Sequence, residues 1–273
     1  MLSICIFGSR ARQTADAMSD RDILLVGPPS TTLDRAVSRW TERSWNVSVF
    51  DRPAFERMAE VKALFVQHLK QEGRLLQDAD DFLASVLERY SPKPDYSAER
   101  NDALAQIISL PPDTDDYWYQ LCLSDIVYVL FRNAAILHLA CGKEYQFQYD
   151  VLVDRMANMF DLGHRERLAL LALRDLKHGY RQRVEGLAVR LLLQEARQVV
   201  DQMIEQLPDM SVSSIAAGVT TDDYFKLRLT ELDLVTRYHP QHLDGLGPEN
   251  DIFVLWKRIR SGGGYPKPKV SLH

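Results

Sequence analysis

The stretch from Ile4 to Val26, ICIFGSRARQTADAMSDRDILLV, restricts the fold more than any other part of the chain. Ile4, Cys5, Ile6 and Phe7 read as a short apolar strand that breaks at Gly8-Ser9. A polar connection follows, and Ser19-Asp20-Arg21-Asp22 leads into a second apolar run, Ile23-Leu24-Leu25-Val26. Strand side chains alternate between faces, so the spacing predicts that Asp20 and Asp22 point the same way. Two carboxylates side by side repel each other and lose hydration, and a divalent cation between them relieves both costs. Gly8 lets a ligand approach the backbone closely. Ser9 offers a hydroxyl and an amide to a phosphate oxygen, with the cationic forks of Arg10 and Arg12 nearby. The plain alternative is a strand–loop–strand whose acids cap a solvent-exposed edge.

Composition limits the setting in which such a motif works. At 273 residues the chain is long enough for one large or two ordinary domains. A formal net charge of −5 argues against wholesale wrapping of nucleic acid and leaves room for a local basic patch. The three cysteines, Cys5, Cys122 and Cys141, are scattered through apolar surroundings. They read as reduced packing residues of a cytoplasmic protein, with no disulfide framework or zinc site. Neither a signal peptide nor a membrane span is expected. P-loop, Rossmann glycine fingerprint, H-E-x-x-H and G-x-S-x-G patterns are all absent, which removes most rival enzyme classes.

Phe7-Gly8-Ser9, a gap of ten residues, and Asp20-Arg21-Asp22-Ile23 together resemble the signature of the minimal nucleotidyltransferases of the DNA polymerase β superfamily. The resemblance implies that Asp20 and Asp22 are the catalytic, metal-binding carboxylates, holding Mg²⁺ or Mn²⁺. It implies that Gly8, Ser9, Arg10 and Arg12 seat the phosphates of a nucleoside triphosphate, with ATP as the expected substrate. Family members also carry a third carboxylate on the next strand, here read from Trp45 to Phe50. The matching slot holds Ser48, and Asp51 sits just past the strand end, so Ser48 or Asp51 marks the acceptor side.

Between these strands, Thr31 or Thr32 is expected to cap a helix through Leu33, Val37 and Trp40. Phe55 to Leu76 reads as a helix and closing strand, its HLKQEG-x-LL run again similar to the ends of such domains, with Gly73 as a cap. His68 and Lys70 read as solvated residues of an amphipathic helix. Asp78, Asp80 and Asp81 form an acidic start for a helix from Phe82 to Tyr90. Ser91-Pro92-Lys93-Pro94 is the expected linker.

Beyond it the pattern is helical: Ala98–Leu110, Tyr117–Leu139 up to Gly142, Asp150–Phe160, His164–Asp175, Gln182–Leu207, Asp222–Tyr238 and Ile252–Arg260. Arg132 and His138 are spaced similarly to the ribonuclease motif of HEPN helical domains, in which His is a general acid/base and Arg steadies a phosphate. On an ideal helix they lie about 120° apart, which favours ordinary packing roles. Lys177 and Arg181 share a helical face if the helix continues, and Lys177 is the expected triphosphate-holding cation of the helical part.

The expected architecture is α+β: a nucleotidyltransferase domain over 1–92 with a small mixed β-sheet and helices on one side, an all-α HEPN-like bundle over 93–260, and a flexible tail over 261–273. The active cleft is expected between the two domains, where ligand sites tend to form. The expected reaction moves a nucleoside monophosphate, AMP in the favoured case, from a triphosphate to a hydroxyl on a protein, an RNA such as tRNA, or a small molecule. A toxin–antitoxin or defence setting and a homodimer through the helical domain follow from the HEPN likeness. Two other classes stay open: a nucleotide-binding regulatory protein with weak turnover, and a ribonuclease using Arg132 and His138.

Overall fold

The computed structural model describes residues 2–16, 19–207 and 223–261. The expected tail beyond Ser261 and the expected helix start at Asp222 lie outside them. The described chain divides into two units, one ending at Asp95 and one beginning at Tyr96.

The first unit is built on β1 (Ser3–Phe7), β2 (Asp22–Val26), β3 (Asn46–Phe50) and β4 (Arg74–Gln77), in the order β3-β2-β1-β4. β1 runs antiparallel to both β2 and β4, and β2 runs parallel to β3. The sheet is therefore mixed. Parallel neighbours cannot be joined by a tight turn, and here the parallel step from β2 to β3 is made by α2 (Thr31–Thr41), a helical crossover. Ser30, not Thr31 or Thr32, caps α2, its hydroxyl accepting from the Leu33 amide at 3.3 Å. Asp51 caps α3 (Arg52–Glu60), accepting from the Ala54 amide at 2.7 Å. α4 (Leu64–Glu72) and α5 (Phe82–Arg89) complete the unit, and Asp78 holds the start of α5 by accepting from the Leu83 and Ala84 amides at 3.0 and 2.8 Å.

Helices cover both sides of the sheet, not one. Cys5, Phe7, Leu24 and Val26 pack against Phe55, Met58, Val66, Leu69, Leu83 and Val86 from α3, α4 and α5. The alternate residues Ile6, Ile23 and Leu25 pack against Leu33, with Val37 and Trp40 of α2 behind them. Two-sided cover explains why Ile23, Leu24, Leu25 and Val26 form an unbroken apolar run, where a sheet wetted on one face would alternate.

The second unit is helical: α6 (Ser97–Ile108), α7 (Tyr117–Cys141), α8 (Tyr149–Met159), α9 (His164–Gln182), α10 (Val189–Glu205), α11 (Asp223–Arg237), α12 (Pro240–Asp244) and α13 (Asp251–Ser261). α7 is apolar almost all round and packs against α6, α9, α10 and α11. It is long and apolar enough to cross a membrane by length and composition, but 72% of its most apolar stretch is buried among those helices. α9 runs on past the expected end at Asp175 to Gln182, and the next helix begins at Val189 instead of Gln182. The break falls at Arg183, whose left-handed φ of 58° ends the helix while its guanidinium folds back on the Tyr180 carbonyl at 2.9 Å.

Charge is buried where α7, α9 and α11 meet. Arg228 donates to Asp125 at 2.6 Å and pairs with Glu231 at 2.5 Å, Tyr180 donates to Glu231 at 2.7 Å, and Arg181 lies 3.2 Å from Asp125. Asp125 and Glu231 are 1% and 0% exposed, so removing a cation would strand them. Burial would push the Asp125 carboxyl up, but Arg181, Arg228 and Lys177 outweigh it and bring it down to about 2.

Two outcomes follow. Arg228→Met leaves two buried carboxylates short of a partner and should destabilise the protein by about 3–5 kcal/mol, measured by denaturant unfolding. Because the folded Asp125 titrates below its unfolded value, its stabilisation is present above about pH 4 and fades as pH falls toward 2. Asp125→Asn should therefore flatten the loss of stability over that acid range, in a series of unfolding curves.

Candidate active site

β1 delivers the chain to Gly8 at a fixed place, because Phe7 is paired across the ladder with Asp22. Gly8 has φ 70° and ψ −153°, a combination that only glycine adopts without strain. A side chain there would also meet the Asp22 carboxylate: a Cβ on Gly8 would lie 3.1 Å from Asp22 Oδ2. The absent Cβ thus leaves a cradle between the turn and the acid. Ser9 opens α1 (Ser9–Arg12), which Gln13 closes with a left-handed φ of 63°.

Asp22 is the first residue of β2 and is half-buried. Asp20 is exposed and precedes the strand, so the strand alternation expected of the pair does not extend to it. Two residues of chain still keep the two Cα atoms within about 7 Å. Just before Asp20, the Ser19 hydroxyl donates to the Asp16 carboxylate at 2.7 Å and accepts from its amide at 3.0 Å.

The residue level with Asp22 on β3 is Asn46, whose side-chain amide donates to Asp22 Oδ1 at 2.9 Å. Asn46 was not among the expected site residues, since a strand register cannot be read from one sequence. Ser48 pairs with Leu24, one pleat farther along the face it shares with Asn46. Asp51, the other residue expected on the acceptor side, lies away from Asp22. The Asp22–Asn46 and Val26–Phe50 pairs are four ladder steps apart, roughly 13 Å, and Asp51 comes after that far end with its carboxylate capping α3.

The cations divide. Arg10 is exposed and makes no ion pair among the described residues. Arg12 turns inward and pairs with Glu72 at the end of α4, which also bonds His68 Nε2 at 2.8 Å. His68 is 2% exposed and stands edge-on to Phe7, with ring centres 5.5 Å apart, so it is a core residue and not a solvated one. Burial would raise the Glu72 carboxyl, but His68 and Arg12 together hold it below the ordinary carboxylate range. Lys70 donates to the Glu88 and Tyr90 carbonyls at 3.0 and 2.7 Å, closing the end of α5.

In the helical unit, the Lys177 ammonium lies 4.8 Å from the centre of the Tyr128 ring and adds to the positive field on Asp125. Arg132 donates to the Phe147 carbonyl at 3.1 Å. His138 packs instead against Met159 and Phe160, and burial, then the charge of Arg100, lowers its pKa. The two ends of the expected ribonuclease pair have separate neighbours.

Among the described residues no group of three or more His, Cys, Asp or Glu side chains forms a metal cage. The Asp22 carboxylate beside Gly8, with Asp20 two residues before it, suits a hard cation that takes most of its oxygens from phosphate and water, as Mg²⁺ does. The donors fit a shared metal better than a resident one.

Residues 2–104 match the nucleotidyltransferase domain family. This portion is a nucleotidyltransferase domain of the polymerase β type, and the family implies a transferase that takes a nucleoside triphosphate with a divalent metal. The match spans the sheet unit and ends within α6, leaving the rest of the helical unit outside it. No curated protein and no solved structure matches the chain.

Gly8→Ala should strain the turn and press on Asp22, lowering stability by about 1–3 kcal/mol, read from the midpoint of denaturant unfolding.

Proposed function

We propose that the nucleotidyltransferase domain transfers a nucleoside monophosphate, AMP from ATP in the favoured case, to a hydroxyl acceptor. The observation that carries this is the 3.1 Å approach of Asp22 Oδ2 to the vacant Cβ position of Gly8, which joins the two halves of the motif in one place. Asp20 and Asp22 are the residues that would hold the divalent metal. A bound Mg²⁺ or Mn²⁺ supplies charge neutralisation at the triphosphate. The Gly8–Ser9 turn admits the phosphates close to the backbone, and the exposed guanidinium of Arg10 adds positive charge. Arg12 works one layer down, holding the turn to α4 through Glu72. The acceptor oxygen bonds to the α-phosphorus as the bond to pyrophosphate breaks, and the hydroxyl proton leaves to solvent.

The acceptor is a protein, an RNA or a small molecule, and the setting is cytoplasmic. The HEPN likeness of the helical unit suggests a toxin–antitoxin or defence role. Lys177 is not part of this proposal, because its ammonium serves Tyr128 and Asp125.

A second reading has an observation of its own. The β3 face beside Asp22 carries Asn46 and Ser48 and no carboxylate, which suits a domain that binds nucleotide and turns it over poorly.

Incubation with α-labelled nucleoside triphosphates, Mg²⁺ and cell extract separates the two. Transferase activity predicts a labelled acceptor and released pyrophosphate, with Asp22→Asn reducing labelling on the order of 100-fold or more while the fold persists by circular dichroism. Nucleotide binding with no labelled product would favour the regulatory reading.

A further inference from the structure

We infer that Asn46 is a positioning residue: it fixes the direction of the Asp22 carboxylate, holding Oδ1 toward β3 while Oδ2 lies toward Gly8. This rests on the nucleotidyltransferase reading and deepens it. Three observations meet at Asp22. Its Oδ1 accepts from the Asn46 amide at 2.9 Å. Its Oδ2 is the atom nearest the missing Cβ of Gly8, at 3.1 Å. Asp22 and Asn46 are a paired position of the parallel β2–β3 ladder, so the contact is set by backbone register and not by a chance rotamer.

An ionised carboxylate only accepts hydrogen bonds, and Asn46 offers an NH₂ donor that a serine or an aspartate at this distance would not reproduce. The donor acts in two ways. It removes rotational freedom from a side chain at the first position of a strand, and it holds that side chain's direction before any cation arrives. The consequence is a site whose protein share is small: one strand-fixed carboxylate, Asp22, with Asp20 two residues earlier on an exposed segment. Partners of metal ligands at this remove typically govern affinity by 10–100-fold when lost. The domain should therefore take its divalent cation together with the triphosphate, and Asn46 should set how much metal that needs.

The test is calorimetric binding of ATP to the full chain over a series of Mg²⁺ concentrations, with Asn46→Ala and Asn46→Asp beside the wild type. Asn46→Ala is expected to raise the half-saturating Mg²⁺ concentration on the order of 10-fold or more, with the melting temperature in the absence of metal changed little. Asn46→Asp places a second negative charge against Asp22. Its melting temperature should fall without metal and rise more on adding Mg²⁺ or Mn²⁺ than the wild type's does. An unchanged Mg²⁺ dependence in both variants overturns the positioning role, even if their stability drops. Wild-type protein that binds ATP equally with and without Mg²⁺ overturns the nucleotidyltransferase reading itself, and that failure appears before any variant is compared.

Discussion

The antiparallel ladder between β1 and β2 is the constraint on which the rest of the first unit depends. Five residue pairs, from Ser3–Val26 to Phe7–Asp22, set its register. Ile23, Leu24, Leu25 and Val26 are each fully buried, with helices on both faces. A slip of one residue would turn every one of these side chains to the wrong face, so the register is strongly held. That rigidity reaches the end of the ladder, where the paired residues are Phe7 and Asp22 and the next residue is Gly8. A carboxylate on a partly exposed edge is thereby placed as firmly as a core residue.

Polar side chains extend this order outward from the ladder. Arg12, Glu72 and His68 tie the short helix after Gly8 to α4, beneath the Phe7 ring. Asn46 brings the neighbouring strand's side chain onto Asp22. Each contact carries a desolvation cost that its partner offsets, and each fixes a direction that hydrophobic packing leaves open. The helical unit uses the same chemistry at greater depth. There Asp125, Glu231 and Arg228 are buried outright, and the balance of charge holds three helices in one arrangement.

Much of this was legible in the residues and some was not. The apolar runs, the glycine–serine break and the paired acids marked the strands and the turn, because short apolar runs bounded by a turn and glycine's conformational freedom are local properties. The cations were harder. Arg12 and Lys177 look alike in sequence as phosphate ligands, yet one pairs with Glu72, sixty residues away, and the other lies over the Tyr128 ring. His68 carried no sign that it would be buried, since only the placement of Phe7 and Glu72 decides that. The place of Asp51 was hidden for the same reason: its distance from Asp22 depends on the direction of β3, and a parallel strand carries its C-terminal end away from that acid.

From the residues alone came the elements that carry the chemistry: an apolar strand, a glycine–serine break after it, and acids two positions apart leading into a second strand. They follow from local rules of backbone sterics and side-chain periodicity. Tertiary structure alone decided which of the charged groups meet. The parallel pairing of β2 with β3 chose Asn46 as the neighbour of Asp22, and the docking of α4 under β1 chose Glu72 for Arg12. Hydrogen bonds and ion pairs act over a few ångströms between residues far apart in the chain, so their partners exist only once the strands and helices are packed.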